Sequence, residues 1–290
     1  MILKRKIYKK LLEWKNECQG KKALLIEGAR RIGKSTICEE FGKNEYESYL
    51  LIDFAKKDKE VEMYFERYLN DLDTFFMLLQ THFGTKLTER NSLIIFDEVQ
   101  MFPQARAAIK YLVADGRYDY IETGSLISIR ENVKNIVIPS EERNINMYPL
   151  DFEEFAIALE EDLLVEYIKK CFEKREPLER SMHNQAMLLF HQYMLVGGMP
   201  MPVVSFIESK KDFTEADKEK RDILKLYRED IMKIDMRYRS KVLAIYDQIP
   251  GFLSQHEKRV VFKKLQDGSY ADQYEDCLLY TSPSPRDTER

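Results

Sequence analysis

Hydrophobic positions along this 290-residue chain change period several times, and each change predicts an element. Residues 5–18 set Ile7, Leu11, Leu12 and Trp14 at helical spacing among lysines and arginines, which predicts an amphipathic helix. Leu24-Leu25-Ile26 is a short apolar run that reads as a buried strand. After a glycine-bounded loop, Thr36-Ile37-Cys38-Glu39-Glu40-Phe41 opens a helix. Tyr49–Phe54 reads as a second strand carrying Asp53 at its end. Residues 59–83 are expected to be helical, because Val61, Tyr64, Phe65, Tyr68, Leu72, Phe75, Phe76 and Leu79 recur at three and four. That stripe reads as core rather than as an aromatic stacking platform. Leu93-Ile94-Ile95-Phe96, bounded at both ends, fits a strand buried on both faces of a parallel sheet. Gln104–Ala114 is a helix by composition, Tyr118–Ser125 the next strand and its exit, and Ile136-Val137-Ile138 a fifth short strand.

The second half reads differently. From 150 to 195 the chain is expected to be helical, with Leu163, Leu164, Tyr167, Ile168 and Phe172 on one face and Ala186–Met194 later. A turn is expected at Gly197-Gly198-Met199-Pro200-Met201-Pro202, before Val203–Ile207. Residues 208–221 mix both charges without Gly or Pro, as an exposed loop or helix face does. Tyr227–Ile231 opens a C-terminal domain, and residues 240–265 predict two helices around Ile249-Pro250-Gly251. The second, with the basic run His256–Lys264, resembles the helix-turn-helix part of a winged-helix module. Such modules bind DNA or dock proteins. From Leu278 to Arg290 the composition shifts to Ser, Pro and charge, which resembles translated adapter read-through or a natural disordered tail. On either reading the C-terminal domain is expected to be cut short.

Composition narrows the classes. Charged residues are 33% and apolar residues 44%, as in a globular protein rather than a disordered one. The net charge of −4 means that nucleic-acid contact would need a local basic face, and it tips the C-terminal module towards docking. The four cysteines form no C-x-x-C pair and no histidine stands at ligand spacing, so zinc is not expected and a cytoplasmic location is. No apolar run approaches the roughly 20 residues that span a bilayer, so no membrane partner is expected.

The chemistry concentrates in two stretches. Gly28-Ala29-Arg30-Arg31-Ile32-Gly33-Lys34-Ser35 spells G-x-x-x-x-G-K-S between a strand and a helix beginning near Thr36. Gly28 and Gly33 let the backbone curl so that N–H groups face an anion, and the helix N-terminus adds positive potential there. Lys34 is placed for the outer phosphates and the Ser35 hydroxyl for Mg²⁺. The apolar run at 93–96 ends in Asp97 and Glu98, at the strand end where open α/β sheets bind ligands. Asp97 is expected to hold Mg²⁺ opposite Ser35, and Glu98 to orient or deprotonate the attacking water. Thr123 and Ser125 bring hydroxyls to the same edge, either for the γ-phosphate or attacking water, or as an N-cap for a helix from Leu126.

In order and spacing, G-A-R-R-I-G-K-S-T, L-I-I-F-D-E-V-Q, E-T-G-S and Y-P-L-D-F-E-E-F resemble one family of prokaryotic AAA-type ATPases. Its members pair an N-terminal P-loop domain with an uncharacterised conserved C-terminal domain, and the likeness runs from about residue 1 to residue 277. Its most specific parts here are Arg30, the D-E-V-Q strand end and the T-G-S exit. The turn at Gly197-Gly198 is also similar. A segment that often reads G-G-R is Glu141-Glu142-Arg143 here, keeping the arginine without the glycines. The resemblance implies ATP as ligand and ATP hydrolysis. It also implies a cation at the γ-phosphate. Arg143, after the fifth strand, is expected to supply it in its own chain or in a neighbour's within a homo-oligomer, unless it forms a surface ion pair with Glu141, Glu142 or Asp151.

The sequence thus predicts an α/β chain. A P-loop domain with a mostly parallel sheet spans 1–148, and a helical region spans 149–225. A truncated winged-helix-like segment spans 226–277 and a tail 278–290. The expected function is an ATPase coupled to an unidentified protein or DNA partner through the C-terminal domain. The alternative is a slow, nucleotide-gated DNA- or protein-binding module. A small-molecule kinase fits less well, since it does not explain Glu98 beside Asp97.

Overall fold

Short apolar runs alternating with helical stripes build a sheet covered on both faces. The computed structural model describes residues 1–124, 140–232 and 236–254. Its strands are β1 (Ala23–Glu27), β2 (Ser48–Asp53), β3 (Ser92–Asp97), β4 (Asp119–Gly124) and β5 (Glu142–Asn146). They form one sheet in the order β2-β3-β4-β1-β5, all pairings parallel. Parallel neighbours need crossovers, which place helices on both faces and bury the central strands twice over. Leu24 and Ile26 of β1 accordingly share a core with α1 (Ile7–Cys18) and α2 (Lys34–Glu45). Ala23 and Leu25 share the opposite one with α3 (Lys59–Tyr68), α4 (Leu72–Phe83) and α5 (Pro103–Asp115).

Residues 59–83 are two helices rather than one. Asp58 accepts from the N–H groups of Glu60 and Val61 to start α3, and Asp71 accepts from Thr74 N–H to start α4. The aromatic stripe is core: Phe65 meets Phe75 edge-on, with ring centroids 5.0 Å apart, and both are buried. The expected strand at 136–138 lies outside the described residues. The described fifth strand, β5, stands at the sheet edge, so its sequence E-R-N-I-N is mostly polar and partly exposed.

Beyond the sheet, α6 (Phe152–Ala158), α7 (Asp162–Lys174), α8 (Arg180–Val196) and α9 (Pro200–Glu208) enclose a third core around Leu150, Phe155, Leu164, Leu189, Val203 and Phe206. The stretch expected to be helical over 150–195 is thus three helices. Its α7 stripe is not wholly inward, since Leu163 and Phe172 are more than four-fifths exposed. The turn expected over 197–202 ends at Met199, because Pro200 suits the first position of α9.

The chain divides into two compact units at Asp217/Lys218, inside α10 (Phe213–Ile231) and ahead of residue 226. In the second unit Arg228 pairs with Asp247 of α11 (Met236–Ser254) at 2.7 Å, and the Tyr246 hydroxyl donates to Leu224 O. Two helices are expected around Pro250, yet α11 runs through it. Pro250 is exposed, so the carbonyl that loses its donor can turn to water. The basic run 256–264 and the tail 278–290 lie outside the described residues. Among the described residues no single helix is long and apolar enough to cross a membrane; α8 and α9 pass that test only as a pair bent by 120°.

Candidate functional site

β1 delivers the chain into the loop at Gly28, and two constraints there select glycine. A Cβ on Gly28 would stand 2.4 Å from Met147 O, while Gly33 has φ +91°, a left-handed conformation that side chains resist. Between them Ala29 is half-buried, Arg30 and Arg31 are exposed and Ile32 is buried in the core beneath. Arg31 is itself left-handed, with φ +69°. The loop runs into α2, whose first turn carries Lys34, Ser35 and the exposed Thr36.

Lys34 is 5% exposed and its ammonium donates to Gly28 O at 3.0 Å and Ala29 O at 2.9 Å. Burial lowers its pKa from the usual lysine value, opposed by the negative charges of Glu98 and Asp97. Ser35 Oγ donates across to β3, where it lies 2.7 and 2.8 Å from the two Asp97 carboxylate oxygens. Thr123 of β4 donates its hydroxyl to the same carboxylate and accepts from Glu98 N–H at 3.2 Å.

Register explains the convergence. Phe96 of β3 stands opposite Glu122 of β4, and Ile26 of β1 opposite Thr123, so Asp97, Thr123 and the loop entrance share one end of the sheet. Glu98 then turns left-handed at φ +54° and ψ +46°, a conformation costing a non-glycine residue about 1–3 kcal/mol. The side chain of Gln100 donates to its carboxylate.

Ser35 and Asp97 are hard oxygen donors pointing at one place. Among the described residues no group of three His, Cys, Asp or Glu could hold a metal by itself. One carboxylate and one hydroxyl are the kind of partial oxygen set with which Mg²⁺ is held, water and phosphate oxygens supplying the rest. A triphosphate fits the loop as well: Lys34 is a buried cation whose hydrogen bonds, among the described residues, go to two loop carbonyls.

Two expected site residues stand apart. Ser125 lies outside the described residues. The strand expected at 136–138 ahead of Arg143 lies outside the described residues; Arg143 itself is the second residue of β5, opposite Leu24, at the end of the sheet away from the loop. Its guanidinium donates to Glu17 at 2.6 Å, not to Glu141, Glu142 or Asp151. The polar edge strand that places it there has no apolar run to reveal it.

Other residues near the loop escaped sequence reading. Gln100 is visible as the last letter of D-E-V-Q, but its contact with Glu98 is not. Arg5 reaches the loop from just ahead of α1, and Glu122 of β4 is buried farther back along the sheet with Arg106 and Glu142; only folding brings these together.

Residues 20–156 match the family model of an AAA domain. Comparison with curated proteins gives no match. Among solved structures, domain III of the Thermotoga maritima replication initiation protein DnaA is similar at 14% identity and a TM-score of 0.39, over 74% of this chain and 90% of that one. AMPPCP-bound DnaA from Aquifex aeolicus is similar at 11% identity and 0.38, over 100% and 91%. A signal-transduction ATPase with numerous domains from Pyrococcus horikoshii is similar at 15% and 0.39, over 97% and 46%. Likeness of that strength carries no argument about activity. The match over residues 20–156, the parallel sheet and the glycine-bounded loop between β1 and α2 agree in giving this part of the chain an AAA-like P-loop fold.

Proposed function

We propose that this domain binds ATP with Mg²⁺, hydrolyses it, and couples the cycle to a protein or DNA partner engaged through the C-terminal part of the chain. The observation that carries the reading is the meeting of loop and acids: Ser35 lies within 2.8 Å of both Asp97 oxygens, with Glu98 next in the chain. Backbone N–H groups from Gly28 to Thr36 receive the phosphates, and Lys34 exchanges two carbonyls for phosphate oxygens. Ser35 and Asp97 would hold the metal, which would supply positive charge against the phosphates. Glu98 takes a proton from water as the water oxygen bonds to the γ-phosphorus and the bond to ADP breaks. Thr123 orients both acids through its two hydrogen bonds.

A slow, nucleotide-gated binding module is the second reading, and one observation favours it. Arg143, the arginine expected at the γ-phosphate, sits at the other end of the sheet. An arginine from a second copy would answer the same need, which makes a homo-oligomer part of the proposal. Steady-state phosphate release from MgATP by the full chain, with and without duplex DNA, separates the readings. Many turnovers per site support the ATPase. ATP binding with no more than one turnover in either condition supports the gated module.

A further inference from the structure

Y-P-L-D-F-E-E-F is a family-like motif without a part in the site so far, and the structure leads from it to the loop. We propose that Arg5, held by Glu154 of this motif, is a positioning residue for the phosphate loop; this rests on the reading of that loop as the nucleotide site. The Arg5 guanidinium spreads over three partners. Nη1 donates to Ile32 O at 3.0 Å, Nη2 to Tyr148 O at 2.6 Å, and Nε to Glu154 Oε1 at 3.3 Å.

Both side chains are almost fully buried, at 6% and 7% exposure, so this is not a screened surface pair. Glu154 is itself fixed. It accepts from Lys6 N–H at 2.6 Å and from Asp151 N–H at 3.2 Å, and its own N–H donates back to Asp151 in a capping box. Met147 N–H donates to Glu27 O at 2.7 Å, so the motif also starts against the strand that enters the loop.

The consequence for phosphate follows from peptide geometry. A trans peptide is planar, and its C=O and N–H point in opposite directions. Ile32 O and Gly33 N–H belong to one such plane. By holding the carbonyl, Arg5 turns the Gly33 N–H to the opposite side. That is the side left to an anion, since Arg5 and Glu154 fill the other. Gly33 at φ +91° is free to rotate unless something pins the plane. Arg5 thus fixes the direction of a phosphate donor without touching the phosphate.

Lysine is not equivalent here, because its ammonium donates from one point, whereas Nε, Nη1 and Nη2 of Arg5 are held apart in one plane and span Glu154, Ile32 O and Tyr148 O together. The test is equilibrium titration of the full chain with a fluorescent ADP analogue, beside thermal melting without nucleotide. Arg5→Gln is expected to weaken ADP about tenfold, in keeping with loss of one charge-assisted hydrogen bond. It should also lower the melting temperature. Arg5→Lys is the deciding variant: it should melt close to the parent yet bind ADP as weakly as Arg5→Gln. A structural role alone would give the reverse, with affinity intact in Arg5→Lys, and that result overturns the proposal whether or not Arg5→Gln folds. Lys34→Ala keeps the two failures apart. If it binds ADP like the parent, the loop reading itself is wrong; if it loses ADP while Arg5→Lys does not, only the positioning role falls.

Discussion

The two acids after β3 are neighbours in the chain and differ in everything around them. Asp97 is 7% exposed and receives the hydroxyls of Ser35 and Thr123, whereas Glu98 is itself left-handed and its carboxylate receives the side chain of Gln100. Glu98→Gln keeps shape and hydrogen bonding but removes the base. ATP should therefore bind as in the parent while phosphate release falls by roughly 10²–10⁴-fold, the usual range for a lost general base. Asp97→Asn should instead weaken binding only when Mg²⁺ is present. Titrations with and without EDTA, beside single-turnover rates, check both, and parent-rate hydrolysis in Glu98→Gln would remove Glu98 from the chemistry. Arg143 belongs to the same scale. Its pair with Glu17 is 43% and 61% exposed, worth less than ~1 kcal/mol. Arg143→Ala is expected to leave ATP affinity and turnover unchanged, and mixing it with Lys34→Ala chains should restore nothing. A large rate loss, recovered on mixing, would instead mean that a neighbouring copy brings Arg143 to the site.

Elements were legible in the sequence where the signal is local. Glycine, lysine and hydroxyl spacing in the loop, and four hydrophobics before two acids, need no knowledge of distant residues. Breaks inside long helical stripes were less visible, because residues 59–83 keep their period across the gap and only the caps interrupt it. Pairing register was not visible at all. It places Arg143 beside Leu24; nor was the tertiary packing visible that sets Arg5 against Glu154, 149 positions away. Asp58 shows what a single cap is worth. It starts α3 and also accepts from His82 of α4 at 2.8 Å, so one carboxylate joins two helices. Burial raises its pKa, but hydrogen bonds from Val61 N–H and His82 outweigh this and hold it below the usual aspartate value. A lowered carboxyl pKa adds stability above the ordinary value near ~3.9, lost as pH falls through the folded one. At pH 7 Asp58→Ala should cost about 1 kcal/mol, or a few degrees of melting temperature, while Asp58→Asn should recover most of it. Equal melting of the alanine variant and the parent would show that α3 needs no cap.

For the whole molecule, the dependence of stability on pH turns on a buried cluster shared by α5, β4 and β5. Arg106 of α5 pairs with Glu142 of β5 through two hydrogen bonds of 3.0 and 2.8 Å, with both side chains at most 5% exposed. Glu122 of β4 is fully buried beside them, and neither of its oxygens receives a hydrogen bond. Two carboxyls in reach of each other and one guanidinium are best satisfied when Glu122 keeps its proton and donates it to Glu142. Burial first, and the charge of Glu142 second, push the Glu122 pKa well above the ordinary carboxyl value, against the pull of Arg106. The sign is opposite to that of Asp58, Asp151 and Glu153, whose pKa values are lowered. A raised carboxyl pKa stabilises fully below the unfolded value near ~4.3, and this contribution is lost as pH climbs towards the folded one. The lowered group has already given its full contribution by pH 5, so above that Glu122 should dominate, with a slope approaching roughly 1 kcal/mol per pH unit. Glu122→Gln offers Glu142 an amide N–H that never titrates. It should match the parent within about 1 kcal/mol at pH 5 and exceed it increasingly at pH 7 and 8.5. Denaturant unfolding of both chains at the three values measures the difference directly. A constant gap between them would mean that Glu122 does not hold its proton, and that the cluster carries two buried negative charges on one arginine.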